Sequence, residues 1–352
     1  MSIILDDVKL MKEFDHLKIL DAIVKFPEQC ERGIKIGEDF VKKAKIKKPK
    51  GLCVCGMGAS GIIGNLLRNI IPDKQMIVIK DYDIPEFVDS SWLVVLVSYS
   101  GGTEEPVNCF RQALERKLNV LGVCSGGELA SLMKKRRKPM IKVPSGLPPR
   151  YGTGYMLFPL LVLLKKIGFS ELKTNILKSV VMNLQETRDE IKPDVPMKNN
   201  ISKRIAFKIK NTIPMVMSFG DYESVCYRAK TQFNENSKIP ASVEILPEMN
   251  HNSILAFEYP HHLTKRFSVL LIRDESEGVQ IRKRVEFTKG LLRKSCDSLT
   301  ELWSLYPSPL GRMLSIMYIL DFVSVYLAFV YENDPGDYSL LLELKKILKQ
   351  KV

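Results

Sequence analysis

The sequence contains few of the residues that usually mark a metal centre or a disulfide scaffold. Its 352 residues include seven cysteines and four histidines, and no two cysteines form a CxxC pair. An odd number of cysteines without such spacing does not support a zinc framework, so we expect no metal site. It favours buried free thiols in a reducing compartment. Cys53 and Cys55 stand two apart in a strand-like stretch and are expected to share one face.

Segments typical of secretion or membrane insertion are also missing. The first residues are acidic where a signal peptide would be basic, and no unbroken apolar core follows. The longest apolar stretch, Met313–Val330, contains Asp321, which favours a buried helix over a membrane span. These features predict a cytoplasmic protein without a membrane partner.

Acidic residues are fewer than basic ones: 40 aspartates and glutamates stand against 53 lysines and arginines, which gives a net charge of +13. Such a surplus admits nucleic acid or smaller anions as partners. The basic runs are dispersed, however, and no helix-turn-helix, zinc-finger or RNA-binding signature accompanies them. A solvated basic surface is the simpler interpretation, and we predict no nucleic-acid partner. The three runs are Lys42–Lys50, Lys134–Lys138 and Lys345–Lys351.

From residue 50 onward, short apolar segments alternate with helical ones. Near-continuous runs of Val, Ile and Leu separated by helices predict a parallel sheet covered on both faces, which is a doubly wound α/β domain. The first five predicted strands are Gly51–Gly56, Met76–Ile79, Trp92–Val97, Asn119–Val123 and Met140–Val143. Three more, in a second region of similar plan, are Ile213–Phe219, Ala241–Leu246 and Phe267–Ile272.

The pattern predicts five parts along the chain. Two N-terminal helices, broken at Pro27, occupy residues 1–49. The first α/β domain spans 50–168, and a linking helix with a proline-containing linker spans 169–200. The second α/β domain spans 201–330, and a helical tail spans 331–352.

Two loops at the ends of predicted strands carry the first chemical signal. Gly56–Gly61 (GMGASG) leads from a strand into a helix, where glycines leave backbone N–H groups free for an anion. The spacing also fits a dinucleotide fingerprint, but Lys80 precedes the first acidic residue after the second strand. A purely structural turn is the alternative for this loop.

The second loop, Ser98–Glu104 (SYSGGTE), places three hydroxyls and two glycines before a helix. Hydroxyls and amides at a helix start form a neutral cradle for a phosphate dianion. Helix capping is the alternative and explains Thr103 well, but it does not explain Ser98 and Ser100. The two loops together therefore indicate a phosphate ligand.

These loops and four later segments resemble the sugar isomerase (SIS) domain and, more narrowly, the bifunctional phosphoglucose/phosphomannose isomerases. The later segments are PPRYG at 148–152, NENSK at 234–238, PEMNHN at 247–252 and LDFVSVYLA at 320–328. The resemblance covers essentially the whole chain. It implies a cytoplasmic homodimer of two doubly wound parallel-sheet SIS subdomains with flanking N- and C-terminal helices.

The resemblance also implies an activity. Glucose 6-phosphate, and also mannose 6-phosphate, would be interconverted with fructose 6-phosphate through a cis-enediolate, as in glycolysis and gluconeogenesis. Such proton transfer needs a base, an acid/base pair for ring opening and a cation beside the enediolate, but no cofactor. By resemblance the phosphate is bound by Gly58, Ser60, Ser98, Ser100 and Thr103.

Four further residues receive catalytic roles from the same resemblance. Glu235 would be the base between C1 and C2, and Arg150 would stabilise the enediolate. His251 and Lys345 would serve ring opening, with His251 reaching the site of the partner subunit. Without the resemblance, Glu235 is an exposed helix-end residue, Arg150 a surface arginine and Lys345 one lysine of a basic tail.

Two positions depart from the family pattern. Gly102 stands where an asparagine is usual, which predicts a looser turn. Residues 336–339, GDYS, replace a segment that approaches C2 of the sugar in the family, so the preference between the two epimers stays open.

Two other functions compete with the isomerase. A non-catalytic SIS-type sugar-phosphate regulator would need the cradle without Glu235, His251 and Lys345, usually together with a DNA-binding domain. A glucosamine-6-phosphate-forming enzyme would need an N-terminal nucleophilic cysteine, whereas the first cysteine here is Cys30.

Overall fold

The N-terminal region forms four helices in the computed structural model, which describes residues 3–348. The prediction of two helices broken at Pro27 is wrong, because Pro27 lies in the first turn of the longest helix, where no N–H is needed. A helix start was missed at Ile19, where the carboxylate of Asp15 accepts hydrogen bonds from the amides of Ile19 and Leu20. The helices are α1 (Ile3–Asp6), α2 (Val8–Phe14), α3 (Ile19–Val24) and α4 (Phe26–Lys43).

The first sheet is entirely parallel and has five strands in the order β2-β1-β3-β4-β5. Its central strands β1 and β3 are buried along their whole length, which agrees with their continuous apolar sequence. The strands are β1 (Gly51–Cys55), β2 (Gln75–Ile79), β3 (Leu93–Val97), β4 (Asn119–Cys124) and β5 (Met140–Lys142). The helices that follow them are α5 (Gly58–Ile70), α6 (Glu104–Glu115), α7 (Gly127–Lys135) and α8 (Thr153–Lys166).

The second sheet is parallel with the order β7-β6-β8-β9, so β6 holds the place that β1 holds in the first sheet. The shared strand order confirms two α/β domains of similar plan. Strand β9 (Ser298–Trp303) was missed because its polar residues lie at a sheet edge, where continuous apolar sequence is not needed. The other strands are β6 (Ile213–Phe219), β7 (Ser242–Leu246) and β8 (Phe267–Arg273).

Seven further helices complete the described chain. They are α9 (Thr174–Ile191), α10 (Ile201–Lys208), α11 (Glu223–Gln232), α12 (His261–Thr264), α13 (Val279–Ser295), α14 (Pro309–Val330) and α15 (Ser339–Leu348). A π-helical turn, Phe233–Ser237, continues α11.

Helix α14 is the one described helix long and apolar enough to cross a membrane, yet 89% of its most apolar stretch is buried inside the protein. It packs against α9, α10 and α11, and Asp321 within it pairs with Arg228. The expectation of a buried core helix is therefore confirmed.

Helix α15 contrasts with α14, because none of its residues is buried. The helical tail is predicted to span 331–352, and residues 349–352, which include the end of the basic run Lys345–Lys351, lie outside the described residues.

All seven cysteines are free and buried, as the sequence predicts. The sulfur atoms of Cys53 and Cys55 lie 3.8 Å apart, on the same face of β1.

Candidate active site

The two glycine- and serine-containing loops meet at one edge of the first sheet. They follow β1 and β3, which are parallel neighbours, so their ends lie side by side. The amide of Tyr99 donates a hydrogen bond to Oγ of Ser60 over 3.2 Å, which joins the loops directly. Gly58 begins α5 with a φ of 48°, a left-handed conformation that glycine adopts without strain. We call this pair of loops the cradle.

Two of the three hydroxyls of the second loop, those of Ser98 and Thr103, face each other. Oγ of Ser98 accepts a hydrogen bond from the amide of Gly101 and donates one to Oγ1 of Thr103, each over 3.1 Å. The amide of Gly102 donates to Oγ of Ser100 over 3.3 Å. Thr103 stands at the N-cap position of α6, but its side chain caps no helix amide because the hydroxyl turns back toward Ser98. The alternative interpretation of Thr103 as a side-chain cap is therefore wrong.

Gly101 is the glycine on which the shape of this loop depends. Its φ is 70°, and a Cβ there would lie 1.8 Å from the carbonyl oxygen of Gly126. The turn thus packs against the backbone at the start of α7 more closely than any side chain allows. At Gly102, by contrast, a Cβ would meet nothing within 4 Å, and the hydrogen bond to Ser100 is present. The departure at Gly102 therefore leaves the turn intact.

Arg150 is buried, with 3% of its surface exposed, in a short 3-10 helix that precedes α8. Its guanidinium donates from Nη2 to the carbonyl of Pro335 (2.6 Å) and from Nε to Oδ1 of Asn236 (2.8 Å). Nη1 lies 3.4 Å from Oε2 of Glu235. The alternative of a surface arginine is wrong, since these contacts fix the cation in one orientation.

Glu235 lies in the π-helical turn that continues α11, and 31% of its side chain is exposed. The carboxylate therefore stands between the buried Arg150 and solvent. The neighbouring Asn236 is fully buried, accepts a hydrogen bond from the Tyr151 hydroxyl (2.9 Å) and donates one to Ser324 (2.9 Å). This arrangement can hold a carboxylate base and a cation side by side at an accessible surface.

Lys238 links the π-helical turn to the segment after α14 by hydrogen bonds. The sequence predicted no role for this residue. Its backbone is left-handed, with a φ of 58°. Its ammonium donates to the carbonyls of Glu235 (2.7 Å), Asn236 (3.3 Å) and Asp334 (3.0 Å). Burial, together with the charge of Arg150, lowers the pKa of Lys238. The signal available in the sequence was its place in the NENSK segment.

A buried ion pair, Arg228–Asp321, contacts the backbone of Arg150. The sequence pattern did not predict this pair. Arg228 contacts both carboxylate oxygens of Asp321, with the shortest separation 2.7 Å. Nη2 of Arg228 also donates to the carbonyl of Arg150 over 2.9 Å. Burial raises the pKa of Asp321, and the Arg228 guanidinium opposes that shift.

The segment that carries Arg150 packs directly on the cradle. A Cβ at Gly152 would lie 2.5 Å from the ring of Tyr99, so that position is open only to glycine. The Tyr99 hydroxyl accepts a hydrogen bond from the amide of Leu147 over 3.3 Å. The cradle and the Arg150–Glu235 pair are therefore parts of one connected structure.

Within the described part of one chain, the side chains of His251 and Lys345 are not bonded to the cradle or to the Arg150–Glu235 pair. Both are exposed, His251 at the end of a 3-10 helix after β7 and Lys345 on α15. The side chain of neither residue makes a hydrogen bond or an ion pair with any residue between 3 and 348. A different histidine, His16, contacts the segment that binds Arg150. Its Nδ1 lies 3.0 Å from Oδ2 of Asp334, the residue before Pro335.

A resident metal has no set of ligands in the part of the chain that the structure describes. No group of three or more His, Cys, Asp or Glu side chains there is arranged to hold an ion.

The two parallel-sheet α/β domains place the chain in a fold class that solved structures share. A hypothetical protein from Thermus thermophilus has a solved structure with a TM-score of 0.75 and 14% identity, matching 97% of this chain and 92% of its own. The tagatose-6-phosphate ketose/aldose isomerase of Escherichia coli matches with a TM-score of 0.67 and 13% identity, over 90% of this chain and 95% of its own. These likenesses confirm the fold class.

The particular family follows from sequence comparison. Residues 198–348 match the model of the bacterial phospho-glucose isomerase C-terminal SIS domain. A bifunctional phosphoglucose/phosphomannose isomerase from Caldicellulosiruptor bescii is 34% identical over 321 residues, which are 90% of this chain and 95% of the relative. The chain belongs to the family of bifunctional phosphoglucose/phosphomannose isomerases, and the resemblance inferred from its motifs is confirmed.

Proposed function

We propose that this chain is an aldose–ketose isomerase that interconverts glucose 6-phosphate, and also mannose 6-phosphate, with fructose 6-phosphate. The observation that carries the proposal is the buried Arg150 beside the accessible carboxylate of Glu235, in a segment packed on the cradle. The family membership supports the same reaction class. The proposed organisation is an SIS domain at 50–168 and another at 201–330, between flanking helices.

The proposed chemistry is a proton transfer between adjacent carbons. Glu235 takes the proton from C2 of the open-chain aldose, and the C–H electrons form the C1=C2 bond of a cis-enediolate. Transfer of the hydroxyl proton from O2 to O1, and return of the C2 proton from Glu235 to C1, then leave the carbonyl at C2. Arg150 lies within reach of the negative charge that develops on the oxygens, and its fixed orientation requires little rearrangement in the transition state.

The cradle would bind the phosphate of the substrate. The hydroxyl groups of Ser60, Ser98, Ser100 and Thr103, with the backbone amide of Gly58 at the start of α5, are suited to a dianion once their protons turn toward it. The cradle is uncharged and would bind the phosphate by hydrogen bonds alone. The guanidinium of Arg150 is therefore not needed for the phosphate and can act at the reacting carbons.

We propose a homodimer in which His251 reaches the partner's site for ring opening, together with Lys345. Support comes from the apolar side chains that α15 exposes, because a contiguous exposed apolar face usually marks an interface. They are Leu340, Leu341, Leu342, Leu344, Ile347 and Leu348. Sedimentation equilibrium should give the dimer mass, and a monomer at assay concentration would contradict this part of the proposal.

A coupled assay for fructose 6-phosphate tests the function itself. Turnover is expected with glucose 6-phosphate and with mannose 6-phosphate, and a chelator should leave both rates unchanged. Substrate binding without turnover of either sugar would instead favour the sugar-phosphate regulator. We place the enzyme in the cytoplasm, at the glucose 6-phosphate step of glycolysis and gluconeogenesis, and the seven reduced thiols support a reducing compartment.

The phosphate role of the cradle can be tested by removing two hydroxyls. Ser98→Ala combined with Thr103→Val should raise KM for glucose 6-phosphate about tenfold or more, because charged-group hydrogen bonds are lost. The turnover number should change less. Ser179→Ala, which removes an exposed hydroxyl on α9, is the control. An unchanged KM in the double variant would show that the phosphate binds elsewhere.

A further inference from the structure

A polar cavity lies at the start of the strands of the first sheet, whereas the cradle lies at their ends. It has a volume of about 650 Å³ and opens where β1, β3 and β4 begin. No acidic residue is found among the described residues that line it. Five lysines line it: Lys45, Lys47, Lys48, Lys50 and Lys138. We call it the lysine cavity.

Two basic runs that are distant in sequence converge here. Lys42–Lys50 connects α4 to β1, and Lys134–Lys138 connects α7 to β5. Within residues 3–348, none of the five ammonium groups forms an ion pair. Hydrogen bonds from Ser91, together with the charge of Lys50, lower the pKa of Asp89, so one carboxylate offsets part of the positive charge. A bound anion would relieve the repulsion that remains. The proposed isomerase reaction, at the other edge of the sheet, makes no use of these charges.

We propose that the lysine cavity binds a small phosphate compound with three or more negative charges, at a site separate from the sugar-phosphate site. The cavity volume lies in the range of small-molecule sites, which is about 300–1,000 Å³. One phosphate dianion would offset two of the five charges, so a polyphosphate or a nucleoside triphosphate matches the cavity better. Single-stranded nucleic acid fits less well because it needs exposed aromatic rings for stacking, and the lining Trp92 is buried.

Calorimetric titration with inorganic tripolyphosphate tests the proposal on the full chain. We expect one site per chain, with an affinity that falls as salt is raised. Lys50→Ala combined with Lys138→Ala should weaken binding about tenfold or more, because two charge-assisted contacts are lost. Lys134→Ala combined with Lys135→Ala removes the same charge from the same run outside the cavity, and should leave the affinity within about twofold. A parallel titration with adenosine triphosphate distinguishes a site that contacts the base from one that contacts phosphate alone.

Three results would overturn the proposal. An equal loss of affinity in the Lys134/Lys135 variant would mean that net charge alone attracts the anion. Loss of tripolyphosphate binding in the Ser98→Ala/Thr103→Val variant would place the anion in the cradle. Tighter binding of a mixed-sequence oligonucleotide, lost in the Lys50/Lys138 variant, would assign the surface to nucleic acid.

Discussion

Glu235→Gln should abolish turnover while glucose 6-phosphate still binds. The amide keeps the shape of the side chain and its place beside Arg150, but it cannot accept the C2 proton. General-base catalysis contributes about 10²–10⁴-fold, so kcat should fall by that factor or more. The dissociation constant of the sugar phosphate, measured by calorimetry, should stay close to that of the unchanged protein.

The matched control for this variant is Glu223→Gln. Glu223 begins the same helix, α11, and pairs with Arg68 at the surface. Its substitution should leave kcat unchanged. Full activity of Glu235→Gln would rule out Glu235 as the base, and exchange of the C2 proton with solvent in that variant would do so as well.

The largest effect on stability is expected for Asp321→Ala. The substitution leaves the buried guanidinium of Arg228 without its carboxylate, and removing one partner of a buried pair costs about 3–5 kcal/mol of unfolding free energy. Because Arg228 also holds the carbonyl of Arg150, kcat should fall at temperatures where the variant is folded. Urea unfolding and steady-state assays on one preparation measure both effects.

Asp39→Ala is the comparison variant for stability. Asp39 and Lys42 also form an ion pair, at 2.8 Å, but about 70% of each side chain is exposed. Solvent screens such a pair, so the urea midpoint should not change measurably. Equal midpoints for Asp39→Ala and Asp321→Ala would show that the Arg228 pair contributes nothing beyond a surface contact.

The sheet and its loops were predictable because their signals are local. Each central strand is a continuous apolar run, and strand ends fix where the loops lie, so Ser98 and Ser100 could be placed on one turn after β3 from sequence, while their phosphate role stays a prediction. The sequence could not decide against the alternative of Thr103 as a helix cap, because an extended N-cap residue can turn its hydroxyl to either side. The number of N-terminal helices was predicted wrongly because no proline or glycine marks the break between α2 and α3. That break depends on a side-chain hydrogen bond of Asp15.

The support around Arg150 could not be predicted, because each of its contacts joins distant parts of the chain. Asn236 lies 86 residues from Arg150, and Pro335 lies 185 residues away. Asp321 was noticed only as a charge within an apolar stretch, and its partner Arg228 is 93 residues away. Hydropathy patterns contain no information on such pairs.

Arg150 comes from the first domain, Glu235 from the second and Pro335 from the segment after α14. The cradle, by contrast, is built from the first domain alone. The cradle residues therefore leave the ribosome before Glu235 and Pro335. The contacts of Arg150 with those two residues can form only after the second domain and the segment after α14 have been synthesised.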